Sequence, residues 1–238
     1  MAIIKDRGIV LRRIKDGEAN LRLVLLLEER GKVVVFAKGA SKSSSKLNAA
    51  ANPFNYTEFI IFDGGNFLSL NQAAVIHSFN AIRHSYGGFV AASLCLELCD
   101  KMLMPAMDAR DALTAALTCF NALDKNKDPK TVMAIAIFKI LQAEGFVPIV
   151  DVCATCGLEL EHDMVFTQDG LVCGGCGCGV GIAFNGDCRP ALNYILTADN
   201  KRLFSFNTSG SIIDLLYDAA LLFLHANIDA EFNSLKMI

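Results

Sequence analysis

GKVVVFAKGASKSSSKL, residues 31–47, follows the charged turn Glu28-Glu29-Arg30, runs through β-branched and aromatic residues from Val33 to Phe36, and gives way at Gly39 to serines and lysines. That order predicts a strand feeding a flexible loop. Lys32, Lys38, Lys42 and Lys46 fall inside it without one acidic residue. Its apolar side chains must pack inward, so the cations are left for an anionic partner. A basic strand edge carrying a basic loop suits a polyanion.

Working outward, residues 7–14, 21–27, 32–38, 56–62 and 67–76 all read as strands, joined by turn chemistry at Asp16-Gly17, Arg30-Gly31 and Asp63-Gly64-Gly65-Asn66. Five short strands with one longer loop between the third and fourth fit a small closed barrel of the OB type, which binds single strands across one face. LRLVLLL and KVVVFAK carry unbroken apolar runs. Such strands expect cover on part of the barrel's outer face. From His77 onward the pattern turns helical over 79–103, 108–124 and 129–144, and again over 190–198 and 212–226. Asp128-Pro129 is an N-cap followed by proline at the first helical position. The expected fold is therefore α+β: a five-stranded OB-fold barrel over 1–78, then an all-helical domain over 79–238 with an insertion at about 151–184, where Cys153-x2-Cys156 and Cys173-x2-Cys176 have zinc-finger spacing.

Hydrophobic residues make up 53% of the 238 and the mean hydropathy is +0.39, so membrane insertion needs an answer first. A spanning helix needs roughly 20 mainly apolar residues, yet the run from Val132 stops at Lys139 and that from Ala219 stops at His225. Lys5, Asp6 and Arg7 stand where a signal peptide would need its apolar core. A cytoplasmic protein with no membrane partner is expected. The net charge of −3 hides an asymmetry: residues 1–50 hold 11 Lys and Arg against 5 Asp and Glu, whereas the other 188 hold 11 against 20. A field of that shape points to an anionic partner for the N-terminal part, with an ordinary solvated surface as the alternative.

Cys153-x2-Cys156 and Cys173-x2-Cys176 are separated by 16 residues, inside the two-knuckle zinc template. Each pair sits on one tight turn, with Gly157, Gly174 and Gly175 supplying the bends, and two turns complete a tetrahedron of thiolates. Cys178 competes through Cys176-Gly177-Cys178, and His162 is a poorer candidate because it falls mid-ribbon. Four thiolates leave no open position, so the expected Zn2+ is structural, with free thiols or an Fe–S cluster as the alternatives. A zinc deaminase would need His-x-Glu and Pro-Cys-x-x-Cys, and the chain has neither. Cys95, Cys99 and Cys119 lie in apolar helical stretches as small core residues. No phosphate-cradling Walker sequence occurs, and the four histidines are dispersed. No catalytic residue is expected.

The segment GKVVVFAKGASKSSSKL, with Asn52-Pro53-Phe54 after it, the two cysteine pairs preceded by Asp169-Gly170-Leu171-Val172, and the C-terminal Phe232-Asn233-Ser234, resembles the bacterial RecO recombination mediators along nearly the whole chain. Where members commonly place another basic residue beside the Gly-Ala pair, this chain has Ser41, and Gln-Pro-Phe is replaced by Asn52-Pro53-Phe54. The resemblance implies a non-enzymatic protein that binds single- and double-stranded DNA, anneals complementary strands, and works with RecR and single-strand-binding protein to load RecA. On this reading Arg12, Arg13, Lys15, Arg22, Lys32, Lys38, Lys42 and Lys46 form the cationic surface, Tyr56 is a stacking platform, and Phe36 and Phe54 belong to the core. A second class of reading is a zinc-containing scaffold whose basic N-terminus binds acidic protein partners. An enzyme would require a metal with an open position.

Overall fold

The computed structural model describes every residue except Met1, Asn66, His162, Cys178, Val180 and Ile238. Its first five strands close on themselves: β1 (Ala2–Asp16), β2 (Asn20–Leu27), β3 (Gly31–Ala37), β4 (Asn55–Asp63) and β5 (Leu68–Ser78), in the order β1-β2-β3-β5-β4. Only β3 and β5 run parallel, matching Val35 to Leu68 and Phe36 to Ser69. The short helix α1 (Lys46–Ala50) bridges β3 and β4. This is an OB-like barrel.

β1 is longer than the sequence pattern indicates because it serves two partners. Ala2–Gly8 pairs with β4 and Gly8–Asp16 with β2. The crossing point needs glycine: a Cβ on Gly8 would stand 1.9 Å from the Leu26 carbonyl oxygen. Val10, Leu21, Leu23, Leu25, Val35, Phe59 and Ile61 fill the barrel interior. The alternate residues Ile9, Leu11, Val24 and Leu26 point outward and are buried against the helices. That explains the unbroken apolar runs, since these strands are covered on both faces.

The helical region contains α2 (Ala81–His84), α3 (Tyr86–Met102), α4 (Arg110–Asp124), α5 (Pro129–Ala143), α6 (Cys188–Thr197) and α7 (Gly210–Asn227). The stretch from 79 to 103 is divided at Ser85, which adopts an extended conformation and caps α3 by accepting from the Gly88 N–H at 3.1 Å. α5 is the axis of the bundle, with every residue from Val132 to Phe138 buried between α3, α4 and α7. Its start is as expected: Asp128 accepts from the Thr131 N–H and Pro129 opens the first turn. Cys95, Cys99, Cys119 and Cys188 are all buried. Among the described residues no helix is long and apolar enough to cross a membrane.

Between α5 and α6 a three-stranded ribbon, β6 (Met164–Thr167), β7 (Gly170–Cys173) and β8 (Ile182–Phe184), is ordered β7-β6-β8. Phe166 plants it on the bundle, stacking on Phe184 and meeting Phe138 and Phe223. The family-like motifs beside the barrel are structural. Phe54 is buried edge-on to Phe89 and Phe120. Arg83 lies 5.6 Å from its ring and donates to the Pro53 carbonyl at 2.6 Å. Phe232 and Ser234 are buried, and Glu97 accepts from the Asn233 and Ser234 N–H groups and the Ser234 hydroxyl.

Candidate nucleic-acid interface and metal centre

Turns at residues 38–45 fold the basic loop onto the β1–β2 hairpin. Gly39 N donates to Asn20 Oδ1 at 2.9 Å, Ser41 N to the Ala19 carbonyl at 3.0 Å, and Asn48 Nδ2 to the Ala40 carbonyl at 3.1 Å, with Ala40 buried beneath. Ser45 then caps α1. Ser41, Ser45 and Asn48 tie the loop down, while Ser43 and Ser44 are exposed. Lys38, Lys42 and Lys46 project from this anchored segment as exposed side chains.

Lys15, at the hairpin end of β1, and Arg13, whose guanidinium donates to Asn52 Oδ1, join them. Among the described residues none of these five cations has an acidic partner. Arg22 is also exposed but pairs with Asp16 at 3.1 Å, and Arg12 pairs with Asp100 at 3.1 Å.

Lys32 lies elsewhere. Its side chain is 16% exposed and sits in the seam between barrel and helices, 3.4 Å from Asp100. Its ammonium donates to the Asp100 and Leu103 carbonyls. Tyr56 is likewise held away from the basic end: it lies one step beyond the Gly8–Thr57 pair and donates its hydroxyl to Glu28. Burial, followed by that carboxylate, pushes its pKa up to about 12. Arg7 also lies against the phenol and acts in the opposite direction, so the ring sits between an acid and a base. Phe54 is core, as expected, whereas Phe36 is half-buried on the outer face opposite Arg22. An outward Phe36 beside a cation was legible from strand alternation, since Val35 and Ala37 both face inward.

The cysteines converge. One sulfur from each of Cys153, Cys156, Cys173 and Cys176 lies within 4.8 Å of all the others, and Cys156 is 3.9 Å from Cys173. A tetrahedral zinc with Zn–S of about 2.3 Å separates its sulfurs by about 3.8 Å. Each knuckle is a hydrogen-bonded turn: Gly157 N donates to the Cys153 carbonyl at 2.9 Å, and Cys176 N and Gly177 N to that of Cys173 at 3.0 and 2.9 Å. Gly157 has φ +73°, a conformation glycine adopts without strain. Backbone N–H groups of Cys156 and Cys173 bring the Cys153 thiol down to about 6, while its thiol neighbours, Cys173 first, push Cys176 up to about 12. Four thiols this close cannot all ionise unaided. The donor set therefore fits a divalent cation. Cys178 and His162, the weaker ligand candidates, lie outside the described residues.

Arg189, a residue the sequence pattern did not single out, clamps the first knuckle to α6. It donates to the carbonyls of Val150 at 3.0 Å, Asp151 at 2.9 Å and Leu160 at 3.4 Å. No motif marks it, because its partners are backbone carbonyls.

Residues 1–79 match the family described as recombination protein O, N terminal, and residues 83–236 match recombination protein O, C terminal. A DNA repair protein RecO from Acetivibrio thermocellus is 26% identical over 243 residues, covering 100% of this chain and 97% of the relative. Another from Exiguobacterium sibiricum is 33% identical over 176 residues, 72% of this chain and 69% of the relative. One from Bacillus pumilus is 32% identical over 175 residues, covering 73% and 68%. With an OB-like barrel, a helical bundle and a four-cysteine cluster in that order, the chain belongs to the RecO family of DNA repair proteins.

Proposed function

We propose that this protein is a non-enzymatic recombination mediator of the cytoplasm. It binds single- and double-stranded DNA, anneals complementary strands, and with RecR and single-strand-binding protein helps load RecA. Residues 1–78 form the nucleic-acid-binding unit, and residues 79–238 the helical unit whose Cys153, Cys156, Cys173 and Cys176 hold a structural Zn2+.

The observation that carries this reading is the group Arg13, Lys15, Lys38, Lys42 and Lys46 at one end of the barrel, uncompensated by any acid among the described residues. Arg22 and Arg12 extend it at the margins, each already sharing its charge with a carboxylate. Phosphates dominate affinity for such a surface, and it reads no bases. A surface of this kind concentrates strands and leaves pairing to the DNA.

The test is annealing of two complementary oligonucleotides by the metal-loaded protein without ATP. The wild type accelerates it, and Lys38→Glu with Lys42→Glu removes most of the acceleration. An unchanged rate in that double variant would sink the assignment. The scaffold reading is favoured by one observation, the exposed Val147, Ile149, Val152 and Leu158 around the first knuckle. Competition between DNA and an acidic peptide of matched charge separates the two.

A further inference from the structure

Beyond residue 50 the chain is acidic, and its 11 Lys and Arg divide sharply. Seven are engaged: Arg83 with the Pro53 carbonyl, Lys101 with the Glu231 carbonyl, Arg110 with Glu29, Lys130 with Asp214, Lys139 with Gln142, Arg189 with three carbonyls, and Lys236 with Glu231. The other four, Lys125, Lys127, Lys201 and Arg202, are exposed and make no side-chain hydrogen bond or ion pair among the described residues.

Three of these four line one open cleft of about 950 Å³ between the outer face of α4 and the segment 199–205. The wall contributed by α4 is polar. Thr114 and Thr118 each donate a hydroxyl to a carbonyl one turn back, which leaves their oxygens free to accept. Asp199, the acid in the lining, accepts from the Lys201 and Arg202 N–H groups of its own turn. Asn200 Oδ1 is buried there without a partner. Phe204 presents an aromatic ring to the same space, which continues past Lys127 and Phe204 toward the start of α5.

We infer that this cleft is a second binding site for single-stranded nucleic acid, in which Lys125, Lys127 and Lys201 neutralise successive phosphates and Phe204 meets a base. The polar hydroxyl wall, the unpaired ammonium groups and the single aromatic are the furnishings of a strand-tracking groove. The α4 end that carries Lys125 is tied to α2, because Asp124 accepts from the Ala81 N–H at 3.0 Å. α2 in turn holds Pro53 next to the Asn52 that Arg13 contacts. The inference deepens the annealing reading and rests on it: the barrel holds one strand and the cleft presents the other.

The experiment uses the full, metal-loaded chain and a fluorescent oligothymidylate of about 12 nucleotides, within the ~4 to 16 that one OB-type site covers. Stoichiometry, salt dependence and annealing are read for wild type, for Lys125→Glu with Lys127→Glu and Lys201→Glu, and for Lys38→Glu with Lys42→Glu. Wild type takes up two strands. The wild type's second strand shows a slope of about −2 in log K against log salt, and the cleft variant takes up one strand, keeps the first-strand affinity and anneals about tenfold or more slowly. Unaltered stoichiometry and annealing in the cleft variant would overturn the inference. So would displacement of an acidic peptide, but not of DNA, by the three substitutions. The barrel variant reports on the proposed function separately: if it takes up two strands and anneals as wild type while the cleft variant takes up one and anneals slowly, the barrel surface assignment fails and the cleft stands.

Discussion

Lys32 and Lys38 stand at opposite ends of one strand and do opposite things. Lys38 is exposed and unpaired, whereas Lys32 is folded under the helices onto Asp100 and two carbonyls. A single sequence shows both as lysines flanking an apolar run, and nothing local tells them apart. The difference comes from Asp100, 68 residues away, which only the tertiary fold brings into reach. Tyr56 is a similar case, since Glu28, the carboxylate that accepts from its hydroxyl, is separated from it along the chain by β3 and α1. Lys32→Met should therefore leave the salt slope of DNA binding unchanged. It should lower stability by ~1–3 kcal/mol, a melting-point fall of about 3–10 °C for a chain of this size. Tyr56 offers a pH test. Its folded pKa of about 12 exceeds the ordinary 10, so the folded state keeps a proton that the unfolded chain sheds. This contribution to stability is complete below pH 10 and is lost as pH rises toward 12. Tyr56→Phe should flatten the fall in melting temperature over that window, and equal slopes would refute the assignment.

At the scale of elements, the cysteine spacing made the ribbon legible, because two tight turns and a tetrahedron are properties of a few consecutive residues. How the ribbon is attached was not legible. Phe166 grips Phe138 and Phe223, and Arg189 clamps three carbonyls, all contacts between distant segments. This attachment changes what metal removal should do. Metal binding and knuckle folding are one equilibrium, but the apolar side of the ribbon remains packed on α5 and α7. Cys153→Ser, or chelation, should abolish hydrogen-exchange protection over the two knuckles while leaving β1–β5 and α5 protected. Loss of protection across the barrel as well would show that the metal supports the whole fold. Arg189→Ala should weaken the first knuckle alone.

For the molecule as a whole, one apolar core runs from the outer face of β1 and β2 through α3, α4 and α5 to the ribbon, while a second fills the barrel. The five-strand pattern, the change to helix and the charge asymmetry were all readable along the chain. The barrel's covered face was readable too, from strands too apolar for a one-sided sheet. The grouping of free cations was not, because it depends on which of the 22 Lys and Arg find a carboxylate after folding. Arg13, Lys15, Lys38, Lys42 and Lys46 are the group left without a carboxylate around the β1–β2 hairpin, and the account stands on their acting together. The most direct measurement is equilibrium binding of fluorescent single-stranded DNA to the metal-loaded protein across a series of salt concentrations. Five phosphate contacts predict log K falling against log salt with a slope of about −3.5 for a single strand, cut to about −2 by Lys38→Glu with Lys42→Glu. Absence of binding at low salt, or a slope that the double variant leaves unchanged, would contradict the claim that this end of the barrel is the DNA-binding surface.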